Sequence, residues 1–419
     1  MFSRRLAVVL LSLAPLVALG ETIDPNYIVP FDHPAIDYLK APVDDPIARL
    51  EKRVQSGEVK LEYANDGFGY LRSVLSALKI QPDSQMLVFS KTSFQAPHIS
   101  PEAPRSLFFR DDVAVGFVQH GDVLEFAALD PKQGTQFYTL DNSPSATPTF
   151  STNGLTCVQC HDSTPTLGVP GLMVRSVVTD RSGQPISNAP SFITDHRSSI
   201  GDRWGGWYVT GSTGDVQHLG NAVAENQSNP AMLTRRPPMT DLKGVIDTSH
   251  YLEPTSDVVA LMTLEHQSRV WDLITRVGWD ERIAEADHKP FNDGEVDGLL
   301  QYMLFTDETK LWSPVVGSSG FTEEFEKRGP QDSQGRSLRD FDLKTRMFKY
   351  PLSYMIYSDA FDALPKPVLD VFYRRLYDVL SGKDTSETYA KLSAQDRQNI
   401  LEILVATKKG LPEYFRLPG

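Results

Sequence analysis

The chain has 419 residues, of which 41 are basic and 54 acidic, for a formal net charge of −13 at pH 7. That balance argues against a surface that tracks nucleic-acid phosphates or clings to anionic lipid. The length is ample for a substantial core in one large domain or two to three smaller ones.

The first twenty residues, MFSRRLAVVLLSLAPLVALG, place Arg4 and Arg5 ahead of an apolar run from Leu6 to Leu19, closed by the small residues Ala18 and Gly20. This is the three-part pattern of a secretory signal peptide. The run is interrupted by Pro15 and falls short of the ~20 apolar residues that a spanning helix needs. With cleavage near Gly20, residues 1–20 are a leader, and an exported, periplasmic protein with no membrane span is expected. No cysteine stands near that point to carry a lipid.

Residues 21–140 read as an N-terminal arm and a β-rich region. The stretch 21–60 is proline-rich and then charged, which suggests an extended arm leading into a short helix. From Gln85 to Leu140 come the short runs MLVFS, SLFFR, VAVGFV, VLEFAAL and QFYTL, separated by Pro, Gly and Asp, which predict a small antiparallel sheet. Residues 141–256 are irregular and rich in Pro, Gly, Ser and Thr, and such a long loop-rich stretch commonly carries function.

Residues 257–419 turn helical. Ser256 or Asp257 can cap a helix in which Val259, Met262, His266, Val270, Leu273 and Val277 recur at three- and four-residue spacing and give one apolar face. Further helices are expected at 292–305, 365–381 and 393–409, the last opened by Ser393 and Asp396 as a capping pair. The fold class is therefore α+β: a β-rich N-terminal third, a loop-rich middle and a helical C-terminal part.

The chemistry concentrates in LTCVQCHDSTP, residues 155–165. Cys157 and Cys160 are the chain's two cysteines, three apart, and His161 follows directly. C-x-x-C-H is the attachment pattern of c-type haem. Two thiols at this spacing can each add across a vinyl group on neighbouring porphyrin edges, and the next residue's imidazole is then held under the ring to bind iron. A structural zinc site needs two further ligands that no second cysteine pair supplies. A disulfide here closes too small a loop to stabilise much. A thioredoxin-like pair wants a strand and then a helix around the motif, and Thr152, Asn153, Gly154 and Pro165 argue against both.

With its leader, CVQCH resembles the motif of bacterial c-type cytochromes. That resemblance implies one covalent haem c, thioether links at Cys157 and Cys160, and His161 as proximal iron ligand. TDHRSSIGDRWGGWYVTG and ALMTLEHQ also look like stretches of large, poorly characterised exported cytochromes that carry one haem in a chain of this size, and the resemblance implies electron transfer. Small soluble cytochromes carry an amphipathic helix directly before the motif. Pro144, Pro148 and Gly154 oppose one here, and more than a hundred residues follow FNDGEVDGLLQYMLF (291–305), which resembles their closing helix. The ordinary small cytochrome c fold is therefore not expected.

The opposite axial position decides between carrier and enzyme. His266 on the apolar helix face, Met173 twelve residues past His161, and His196 in TDHRSS are the candidates, with His250 after them. Each has a plainer reading as core filler or loop residue. His33, His98, His120, His218 and His288 are read as surface or structural. Asp195 and Asp202 can pair with Arg197 and Arg203. Trp204, Trp207 and Tyr208 line either a haem cavity or the core.

Electron transfer with an unidentified redox partner protein is the favoured function, with no nucleic-acid role. The rivals are a five-coordinate, peroxidase-like haem enzyme using His196, Arg197 or Arg203 as distal groups, and a haem-bearing subunit docking to a larger redox complex through its β-rich third.

Overall fold

The computed structural model describes residues 23–416 apart from Pro25 and Asn153. The expected leader and its cleavage point lie outside the described residues.

All five β-rich runs form strands of one antiparallel sheet. Strands β1 (Met86–Val88), β2 (Arg105–Arg110), β3 (Val113–Phe117), β4 (Val123–Asp130), β5 (Gly134–Asp141) and β6 (Phe150–Thr152) pair in chain order. Phe126 lies opposite Val115 and Tyr138, while Ala127 lies opposite Ala114 and Phe137. Because side chains alternate, Leu124, Phe126 and Ala128 face one way and Glu125, Ala127 and Leu129 the other.

Helices α1 (Pro46–Gln55) and α2 (Leu71–Leu78) cover the first face. Ile47, Leu50, Leu71, Val74 and Leu75 pack there with Phe108, Val115, Phe126 and Leu140. Asp45 starts α1 by accepting from the Ile47 and Ala48 amides, with Pro46 at the first helical position where its missing N–H costs nothing.

The second face holds α3 (Gly154–His161) and α4 (Val258–Ala286). Thr275 of α4 sits so close to the β4–β5 turn that a Cβ on Gly134 would come within 2.4 Å of it. Asp257 caps α4 through the Val259 and Ala260 amides. Ser256 instead donates to the Tyr208 carbonyl and accepts from the Leu87 amide, tying the helix start to the sheet.

The spacing of apolar residues suggested one buried face for α4, but its polar residues Thr263, Glu265, Gln267, Asp272 and Arg276 are buried as well. The helix is the axis of the molecule. Two of them are tolerated there because they find partners: Glu265 meets Arg203, and Gln267 meets Tyr354 and the Arg110 carbonyl.

Around α4 stand α5 (Gly294–Met303), α6 (Phe321–Lys327), α7 (Asp359–Asp362), α8 (Lys366–Leu380) and α9 (Ala394–Thr407). The capping box of Ser393 and Asp396 opens α9 as expected. One apolar cluster joins Met86 and Leu129 of the sheet, Trp204 and Trp207, α4, α8 and α9.

The middle of the chain is largely irregular apart from α3 and two small ribbons, β7 (Arg175–Val177) with β8 (Ser191–Ile193), and β9 (Ala222–Ala224) with β10 (Leu233–Arg235). Trp204, Trp207 and Tyr208 are buried core residues, the plainer of the two readings. Among the described residues no helix is long and apolar enough to cross a membrane.

Candidate functional site

The thiol pair and His161 lie on α3, which starts two residues after β6. The local sequence argued against strand and helix here, but pairing with β5 extends the sheet by β6 and delivers the chain to a helix start at Gly154. At positions 157, 160 and 161, one turn apart, both thiols and the imidazole share a helix face. Val158, on another face, is buried against Val29, Ile36 and Tyr38 of the N-terminal arm and Trp279 of α4. Tyr38 also donates to the Thr135 carbonyl of β5 at 2.6 Å, so the arm clamps α3 onto the sheet.

Cys157 is half-buried and Cys160 exposed, and both are free thiols. Burial, with the negative charge of Glu125 and the neighbouring Cys160 adding to it, pushes the Cys157 thiol up to about 11. A redox-active cysteine needs the opposite shift. The direction of this shift runs against the thiol-exchange reading, although the strand and helix it wanted are present.

His161 is fixed on one side, and among the described residues its other ring nitrogen has no hydrogen-bond partner. Its Nδ1 lies 2.8 Å from the Gly171 carbonyl oxygen. A carbonyl only accepts, so Nδ1 carries the proton and Nε2 keeps its lone pair. The Gly171 amide donates back to the His161 carbonyl at 2.8 Å, and Thr166 Oγ1 donates to the same carbonyl at 3.0 Å. Arg269 and Arg276 of α4 pin the loop between them by donating to the carbonyls of Pro165 and Leu167 at 2.9 and 2.6 Å.

The ring packs on Phe137 of β5, centroids 4.7 Å apart. Burial pushes its proton affinity below the ordinary imidazole value, against the pull of the Gly171 carbonyl, which keeps the ring neutral and able to ligate. On the same sheet face as Phe137, Glu125 accepts from Arg105 at 2.6 Å and from Ser93 and Gln95 at 2.8 Å each.

This donor set fits a c-type haem: two unpaired thiols one helical turn apart and a neutral imidazole with Nε2 open. Three cavities, of about 340, 290 and 380 Å³, lie elsewhere, beside Asp83 and Arg328, Lys132 and Trp279, and Glu308 and Tyr389. Among the described residues no three His, Cys, Asp or Glu side chains gather where they could hold a bare metal ion.

The candidates for the opposite axial position separate. His196 and His266 meet each other, Nδ1 to Nδ1 at 2.9 Å, and His266 Nε2 lies 2.7 Å from Ser353 Oγ. Both are buried among Tyr302 and Phe305. To bind iron, His266 would have to give up one of these bonds. It also stands six residues before Asp272, the α4 residue against which Gly171 packs, hence about 9 Å along the helix and roughly 120° around it.

Arg203 is committed to Glu265 at 3.0 Å and Arg197 to Asp195 at 2.7 Å, the latter as the sequence suggested and the former with a partner it did not name. His250 is exposed beside Asp247. Met173 is half-buried, two residues past the carbonyl that holds His161.

The Gly171 carbonyl that orients His161 was not among the residues singled out from the sequence. A glycine directly after Pro170 in GVPGLM was the available signal. Phe137, Glu125 and Asp272 carried no local signal, since the topology alone brings them to the site.

Comparison with known proteins found no family model, no curated protein and no solved structure that matches this chain.

Proposed function

We propose that the protein carries one haem c, bound covalently through Cys157 and Cys160 with His161 as axial ligand, and passes single electrons to and from a redox partner protein outside the cytoplasm. The observation that carries this is His161: its Nδ1 proton is spent on Gly171, its Nε2 has no hydrogen-bond partner among the described residues, and both thiols lie on the same face. Bound there, the haem supplies a ferric–ferrous couple.

The chain's own residues do the rest. Gly171 fixes the tautomer and tilt of the imidazole. Burial disfavours imidazolium, so the ring stays available as a ligand. Phe137 backs it. The exposure of Cys160 puts the attached edge at the surface, where a partner can approach for electron exchange. The peroxide-enzyme reading draws no support from its proposed distal groups, because His196, Arg197 and Arg203 are engaged with His266, Asp195 and Glu265.

The full chain matured in a host with a haem-attachment system is expected to give a haem-stained band that survives denaturing electrophoresis. The band is lost in the Cys157→Ala, Cys160→Ala double variant. No band in the wild type, or a band that persists in the double variant, defeats the assignment.

A further inference from the structure

The largest of the three cavities, about 380 Å³, lies between the end of α5 and the turn that leads into α9, and the haem reading makes no use of it. Its size falls within the ~300–1,000 Å³ of small-molecule sites. Leu304, Phe305, Pro351 and Leu392 give it apolar walls, while Lys310, Arg346 and Lys391 bring three positive charges to it against one acid, Glu308.

These cations have capacity to spare. Lys310 and Lys391 are exposed, and among the described residues neither ammonium has a carboxylate partner, although the chain carries 54 acidic residues to 41 basic ones. Lys310 lies over the ring of Trp312, 4.9 Å from its centroid. Arg346 spends one nitrogen, Nη2, which donates to Asp396 at 2.6 Å and to the Lys349 carbonyl at 3.0 Å. Burial pushes Glu308 up to about 7, against the Met347 amide, which donates to its Oε1 at 2.7 Å, and the charges of Arg203 and Arg346. A protonated carboxyl donates a hydrogen bond where a carboxylate only accepts, so the one acid need not oppose an incoming anion.

The apolar wall is held in an unusual conformation. Phe305 has a φ of 55°, in the left-handed region that a bulky side chain rarely adopts. Its ring packs against the imidazoles of His266 and His196, centroids 4.5 and 4.6 Å away, and Thr309, also at the cavity, donates its amide to the His196 carbonyl at 3.1 Å. Backbone kept out of its preferred region persists where its surroundings over-determine it, and such residues cluster at ligand clamps.

We propose that this cavity binds a small organic carboxylate with an apolar body, the carboxylate held by Lys310, Arg346 and Lys391 and the body laid against Phe305 and Leu392. An inorganic anion leaves the apolar walls uncovered, and a neutral apolar molecule leaves the ammoniums without a counter-ion. The site is independent of the haem reading.

The probe is phenylacetate, titrated by calorimetry into the full-length protein beside its uncharged amide, phenylacetamide, and beside orthophosphate. Saturable binding of phenylacetate at roughly millimolar concentration or below is expected, with the amide and orthophosphate each at least about tenfold weaker. The Lys310→Ala, Lys391→Ala double variant is expected to bind phenylacetate about tenfold more weakly than wild type. A Lys52→Ala, Lys60→Ala double variant removes the same charge from exposed lysines on and after α1 and is expected to bind as wild type does. All four side chains are exposed, so both variants are expected to fold. No saturable binding of phenylacetate, an amide or orthophosphate that binds as tightly, or equal losses in the two double variants overturns the proposal.

Discussion

Two histidine sites, one on α3 and one built on α4, use their ring nitrogens in opposite ways. His161 commits one nitrogen to a backbone carbonyl and leaves the other open on a half-buried ring. In the His196–His266 pair three of the four nitrogens face a partner inside a box of aromatic rings, and only His196 Nε2 lacks one. On the proposed haem reading, the difference separates a ligand from a core residue. A ligand histidine is oriented by one bond and available at the other atom, while a core histidine is bound at both or sealed from any approach.

The comparison is broken most directly at His161 itself. His161→Ala is expected to retain covalent haem, because both thiols remain, but to change its visible spectrum outright. The paired experiment, His266→Phe, is expected to leave the spectrum of the matured protein as it is. An unchanged spectrum in the first, or a changed one in the second, reverses the assignment of the two sites.

The buried cluster makes its contribution through stability. Glu265 and Arg203 pair at 3.0 Å with side-chain exposures of 0 and 1 %. Thr194 Oγ1 donates to the other carboxylate oxygen at 2.6 Å, and Arg203 donates twice to the Ser198 carbonyl. Glu265→Ala leaves a guanidinium buried without its counter-ion and is expected to cost about 3–5 kcal/mol in denaturant unfolding. A loss below about 1 kcal/mol would mean that water reaches Arg203 and that the box is not sealed.

How much of this could be read from the chain differs with the range of the interactions. The strand runs and the starts of α4 and α9 were legible because pleat alternation and capping are local: Phe126 and Tyr138 announce their face, and Asp257 and Ser393 their helices. The thiols and His161 stood out because the C-x-x-C-H spacing is local. The Gly171 carbonyl, Asp272 and the meeting of His196 with His266 were not. Each depends on a loop returning to α4 from tens of residues away, and periodicity carries no record of such closure. The apolar stripe on α4 was real but misleading, since partners such as Arg203 and Tyr354 bury its polar faces as well.

Acid sharpens the contrast further. Burial drives His266 down to about 3 and His196 well below the ordinary imidazole value. The folded state therefore keeps both rings neutral where the unfolded chain takes up protons. Their stabilising contribution is complete above about pH 6.5 and is lost as pH falls from there toward about 3. His266→Gln removes one of these sites, so its Tm deficit relative to wild type is expected to narrow between pH 7 and pH 4. His161 and His218 are common to both proteins and cancel. A deficit that stays constant with pH would show that His266 is not linked to folding in this way.

The smallest effect is expected where a histidine meets neither condition. His250 is exposed, and its Nε2 lies 3.5 Å from Asp247 in a one-turn pair open to solvent. It has no carbonyl fixing one nitrogen and no aromatic box enclosing the ring. His250→Ala should leave covalent haem, visible spectrum and Tm where they are, because a solvated pair of this kind contributes little to folding. A shifted haem spectrum in this variant would place His250 at the iron. Availability alone, without an orienting hydrogen bond, would then be enough to make a ligand, and the distinction drawn between His161 and the buried pair would lose its basis.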